Sequence, residues 1–76
     1  MYSNVETHNI ETVMLVDEVS STEIYIGQSI NGKDPNDNNW KIKRILQVGS
    51  VWTFTFPNGE QKFDFIWGQR FSYTYG

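Results

Sequence analysis

Residues 49–59 constrain the fold more than any other stretch: Gly49-Ser50, then Val51-Trp52-Thr53-Phe54-Thr55-Phe56, then Pro57-Asn58-Gly59. Aromatic residues at 52, 54 and 56 alternate with β-branched ones at 51, 53 and 55, and this period of two puts successive side chains on opposite faces of a strand. Gly-Ser suits a type II′ hairpin turn and Asn-Gly a type I′ turn, so the segment reads as a strand held between two hairpins. A helix over these residues would scatter the aromatic rings around its circumference and meet Pro57 at its end.

Register arithmetic extends this reading to the neighbouring strands. Through Asn58-Gly59, Phe63 falls opposite Phe54, Phe65 opposite Trp52 and Gln61 opposite Phe56, which makes that aromatic face the expected main core. Through Gly49-Ser50, Ile45 falls opposite Phe54, while Leu46 and Val48 join Val51 on the other face. Upstream, Ile10 to Val19 and Thr22 to Gln28 are rich in Val, Ile, Thr and Tyr and read as two strands joined at Ser20-Ser21. A two-residue turn there sets Leu15 opposite Ile26 and Val16 opposite Tyr25. Asn31 to Asn39 is nearly all turn-forming residues and reads as a loop before a strand from Trp40 to Val48. Asp64 to Gln69 loses alternation and is expected to bend, and Arg70 to Tyr75 resumes it as a terminal strand. The fold class that follows is all-β, a small antiparallel sandwich or barrel of about five to six strands built from hairpins.

The chain has 76 residues, enough for a single domain over 1–76 with a polar N-terminal arm at 1–9. Domains this small seldom draw more than about 3–5 kcal/mol from one core and usually add a disulfide, a metal or a partner. Cysteine is absent and His8 is the sole histidine, so disulfides, Cys-based zinc and His-rich metal sites are excluded. Aromatic packing, with 16% of residues Phe, Trp or Tyr, and contact with other chains remain as sources of stability. Residues 1–38 hold seven acids against Lys33 alone, and residues 39–76 hold five bases against two acids. The halves either neutralise each other within one domain or give the molecule unlike ends for head-to-tail packing. There is no apolar run long enough for a membrane span and no basic-then-apolar secretion signal.

Chemistry-bearing constellations are sparse. His8 lies in the polar arm, where a general base would lack the surrounding structure that holds it to a nucleophile. Asp17 and Glu18 are neighbours on a strand and point to opposite faces. Asp34, Asn36, Asp37 and Asn38 offer oxygen ligands, but without the alternating acids, central glycine and distal glutamate of a calcium loop they read as Asx turns. No catalytic residue, metal ligand or cofactor is therefore expected. Lys41, Lys43 and Arg44 beside Trp40 could form a nucleic-acid patch, yet a net charge of −3 and a pI near 4.8 work against it. Trp40, Trp52, Trp67 and the terminal tyrosines could stack on sugars, as in a carbohydrate-binding module of a tail fibre or surface protein.

Tyr25-Ile26-Gly27, Trp40-x-Ile42-x-Arg44-Ile45, Trp52, Asn58-Gly59, Phe63-x-x-x-Trp67-x-x-Arg70 and a tyrosine near the end form an ordered pattern over residues 25–75. In this order the chain resembles small structural proteins encoded in tailed-bacteriophage genomes, departing from them at Gln28-Ser29 and Gly68-Gln69. The resemblance implies a non-enzymatic virion component, such as a capsid decoration, a head–tail protein or a tail protein, assembled in the host cytoplasm. It implies contacts with other virion subunits in many copies, with self-association open and no membrane. Independently, the hairpins carry apolar groups on both faces, so one surface is left over in a flat two-layer arrangement. The residues expected there are Met14, Val16 and Tyr25, together with Asp34, Asn36 and Asp37 of the loop.

Overall fold

The computed structural model describes residues 12–30 and 34–76. The expected arm at 1–9 with His8, the start of the first strand at Ile10, and Asn31-Gly32-Lys33 of the loop lie outside the described residues. Among the described residues, β1 (Thr12–Ser20), β2 (Glu23–Ile30), β3 (Trp40–Val48) and β4 (Val51–Thr55) form one antiparallel sheet in that order. A kinked 3-10 segment, Trp67–Ser72, follows. The antiparallel β character holds, but the sheet is open, with four strands where a sandwich or barrel of five to six was expected.

Two hairpins explain the sheet. At Gly49-Ser50 only Gly49 has a positive φ (63°), as a type II′ turn requires, and Ile45 pairs with Phe54 and Val48 with Val51 as the register arithmetic demands. The first hairpin differs from expectation by one residue. Ser20 pairs with Glu23, but Glu18 pairs with Ile24, so Val19 is an extra residue in β1. Such a bulge shifts everything beyond it. Val16 therefore faces Ile26 and Leu15 faces Gly27, while Tyr25 faces Asp17 and stands on the other side of the sheet from Val16.

Beyond β4 the expected third arm of the hairpin does not form. Pro57 carries no N–H for a ladder. Continuing the pairing of Arg44 with Thr55 would bring Gly59 to Trp40, yet Phe65 takes that place, bonding to Trp40 in both directions at 2.9 and 3.0 Å. Residues 57–64 are thus an excursion from the line of β4. The Asn58-Gly59 turn itself is present, with φ of 54° and 73° and the Glu60 N–H on the Pro57 carbonyl at 2.9 Å. The chain end fills the position beside it. Phe56 and Gly76 exchange hydrogen bonds at 3.2 and 3.0 Å, and the Asn58 N–H reaches the Thr74 carbonyl at 2.7 Å. Arg70 to Tyr75 is accordingly a 3-10 turn followed by a short bridge of Tyr75 to Pro57, where a terminal strand was expected.

Residues 65–75 lie across one face of the sheet, formed by Leu15, Asp17, Tyr25, Gly27, Ser29, Trp40, Ile42 and Arg44. The core is there: Tyr25, Trp40, Ile42, Phe65 and Trp67 are buried, with Leu15, Tyr73 and Tyr75 against them. The cluster expected at Trp52, Phe54 and Phe63 is exposed, and Phe65 is buried on the opposite face from Trp52 and Phe54. Gly27 belongs to this packing because a Cβ there would overlap the Trp67 ring. Edge-on ring pairs Tyr25–Phe71, Tyr25–Tyr75 and Phe65–Tyr73 have centroids 5.1, 5.6 and 5.2 Å apart.

The charged groups Asp17, Glu23, Arg44 and Arg70 on this face are paired. Arg70 stacks between Trp67 and Phe71, 4.5 and 4.7 Å from their centroids, and donates to Asp17 at 2.8 and 3.1 Å. Arg44 donates to Glu23 at 2.9 Å, and Glu23 also accepts from the Tyr25 hydroxyl at 3.1 Å. Burial pushes the Tyr75 hydroxyl above its ordinary value. Burial also raises that of Tyr25, with Glu23 adding to the effect.

Candidate protein-contact face

The other face of the sheet has no cover among the described residues. Strand parity places Met14, Val16 and Glu18 of β1 there, with Ile24, Ile26 and Gln28 of β2, Lys41, Lys43, Ile45 and Gln47 of β3, and Trp52 and Phe54 of β4. Exposure reaches 61% at Val16, 56% at Met14 and 54% at Phe54, and Trp52 is also exposed. Isolated exposed apolar side chains are ordinary, but a continuous band across four adjacent strands is the feature that marks contact surfaces.

The band runs obliquely. Pairing puts Glu18, Ile24, Ile45 and Phe54 in one row across the sheet, Val16, Ile26 and Lys43 in the next, and Met14, Gln28 and Lys41 in the third. Apolar side chains pass from Met14 and Val16 at one corner, through the isoleucines, to Phe54 and Trp52 at the diagonally opposite one. Glu18 lies on one side of this diagonal and the two lysines on the other. Lys43 sits over the Phe54 ring at 5.5 Å and Lys41 over Phe63 at 5.4 Å. Among the described residues, none of Glu18, Lys41 and Lys43 has an ion-pair partner, whereas Asp17, Glu23, Arg44 and Arg70 on the covered side are all paired.

The residues expected from sequence to share a contact surface are divided by the sheet. Met14 and Val16 stand on the open face. Tyr25 is 6% exposed on the covered one, and the cause is the bulge at Val19. Asp34, Asn36 and Asp37 are exposed, but their loop is tied to the covering segment. The Asp34 carbonyl accepts from Trp40 Nε1 at 2.9 Å, and the Pro35 carbonyl accepts from the Gly68 N–H at 3.1 Å. Asp34 Oδ1 accepts the Asn36 N–H at 2.8 Å, an Asx turn, as the loop composition suggests. Ile24, Ile26, Ile45, Trp52 and Phe54 complete the open face and were not anticipated there. Their signal in the sequence was the presence of apolar residues on both faces of each hairpin.

Among the described residues no three His, Cys, Asp or Glu side chains gather as a metal site would require, and no pocket opens. Of the three tryptophans considered for sugar stacking, Trp40 and Trp67 are in the core and Trp52 alone is exposed. No family model, curated protein or solved structure matches the chain.

Proposed function

We propose that this chain is a non-enzymatic structural subunit of a bacteriophage virion, acting through protein–protein contacts made by the open face of its sheet. The observation that carries the contact reading is the uncovered apolar diagonal from Met14 and Val16 to Phe54 and Trp52. Burying such side chains stabilises a complex by roughly 25 cal/mol for each Å² removed from water, and a domain with so small a core gains from it. The phage assignment rests on the ordered pattern from Tyr25 to the terminal tyrosine. A capsid decoration, a head–tail protein and a tail protein all fit a small subunit that docks by one face, and the number of copies per particle separates them.

Incorporation into particles tests the proposal. The wild-type protein is expected to co-purify with virions in fixed stoichiometry, and a Val16→Lys, Phe54→Lys variant is expected to stay folded and be lost from them. Full occupancy by that variant would move the contact away from the open face. Binding of the isolated protein to a glycan through Trp52, with no incorporation, would favour the sugar-binding reading instead.

A further inference from the structure

The open face is not only apolar; its charges are arranged about the apolar diagonal. Neighbouring strands lie about 4.8 Å apart and residues rise about 3.4 Å along a strand, so the diagonal lies at about 45° to the strands. Four in-plane two-fold axes could pair this face with itself. An axis along the strands sets Glu18 over Phe54 and Lys43 over Ile26 of a second copy. One across the strands sets Glu18 over Val16 and Lys43 over Ile45. Both bury charges against apolar groups, which is unfavourable without a partner. A third axis, running from Glu18 towards the lysines, sets like charges on each other. The fourth runs along the apolar diagonal: it lays the diagonal on its own image and brings Glu18 of each copy over Lys41 and Lys43 of the other. Strands of the two copies then cross at about 90°, one of the two preferred angles for stacked sheets.

We infer that the occupant of the open face is a second copy of this chain, packed sheet on sheet about the apolar diagonal with two Glu18–Lys41/Lys43 clusters at its flanks. The inference rests on the reading of that face as a contact surface. It supplies partners for Glu18, Lys41 and Lys43, which have no ion-pair partner among the described residues, and it builds between two copies a sheet-on-sheet sandwich.

Charge exchange tests it by sedimentation of purified full-length protein. Wild type is expected to be a dimer. Glu18→Lys alone, and Lys41→Glu with Lys43→Glu, each set like charges opposite one another and should weaken self-association about a hundredfold or more. Mixed in equal amounts, the two variants should recover a one-to-one dimer, because opposite charges then meet in both clusters. The recovery also shows that each variant is folded. A wild type that stays monomeric at all concentrations, whether because residues 1–11 or another subunit occupies the face, would overturn self-pairing. So would a Glu18→Lys variant that dimerises as wild type does. If the wild type is monomeric while Val16→Lys, Phe54→Lys still abolishes incorporation into particles, the contact face stands and only the choice of occupant fails.

Discussion

The two faces of this sheet carry similar numbers of large apolar side chains and treat them differently. On the covered face, rings meet edge to edge, both arginines lie against carboxylates, and Trp40 and Ile42 have no exposure at all. On the open face, Trp52 and Phe54 follow the strictest alternation in the chain and remain in contact with solvent. Alternation thus reports that a strand has two distinct sides, and what lies against either side depends on another part of the chain or on another chain.

Substitution at one ring on each face gives the sharpest break. Trp40→Ala removes a fully buried indole that also donates to the Asp34 carbonyl, and is expected to destabilise by about 3–5 kcal/mol, near the whole stability of a domain this size. Phe54→Ala should change monomer stability by about 1 kcal/mol or less, since the ring is more than half exposed and rests on Lys43 at the surface. Denaturant titration of both, under conditions where the protein is monomeric, checks the contrast; equal losses would erase it. Gly27→Ala comes next. Its methyl group would press on the Trp67 ring and lift the covering segment, for an expected loss of about 1–3 kcal/mol with reduced tryptophan burial in fluorescence.

Alkaline pH should loosen the covered face. Tyr25 and Tyr75 hold their protons more tightly when folded than at the ordinary value of 10.0. Above about pH 10 the unfolded chain therefore binds fewer protons than the folded one, and stability falls as pH rises; below it this contribution is fully present. Denaturation midpoints recorded from neutral pH upward should bend down there, and less so for Tyr75→Phe. The smallest effect is expected at Ser29, fully buried with no partner for its hydroxyl among the described residues. Ser29→Ala should leave stability unchanged or raise it by up to about 1 kcal/mol. A clear loss would show that the hydroxyl is satisfied.

What could be seen in the sequence followed the range of the interactions involved. Gly49-Ser50 fixed its hairpin and the pairing of Ile45 with Phe54, because a two-residue turn leaves no freedom of register. Asn58-Gly59 fixed its turn but not the strand beyond it. The place beside Phe56 went to Gly76 and the place beside Trp40 to Phe65, and local propensity does not encode either competition. One extra residue at Val19 was enough to move Tyr25 to the other side of the sheet. Four of the six expected contact residues, Tyr25, Asp34, Asn36 and Asp37, were separated from Met14 and Val16 by that shift and by the docking of the Asp34 loop on the covering segment. The ordered pattern that suggests a phage protein falls largely on the covered face, at Tyr25, Gly27, Trp40, Ile42, Arg44, Trp67 and Arg70. Its residue choices are thus accounted for by packing, and the open face had to be found from the structure.

The clamp between Asp17 and Arg70 joins residues 53 apart in the chain, whereas both hairpins close through two-residue turns. Loop-closure entropy therefore favours the hairpins early and the covering segment late. Until that segment arrives, the sheet is greasy on both sides and resembles the species that aggregate during refolding. Substitutions at Trp67 or Arg70 should accordingly speed unfolding and leave the folding rate nearly untouched, with the reverse at the Gly49 turn. The order of events makes the covering segment a latch: its closure seals the rings at the centre of one side and leaves the apolar diagonal of the other side open to contact.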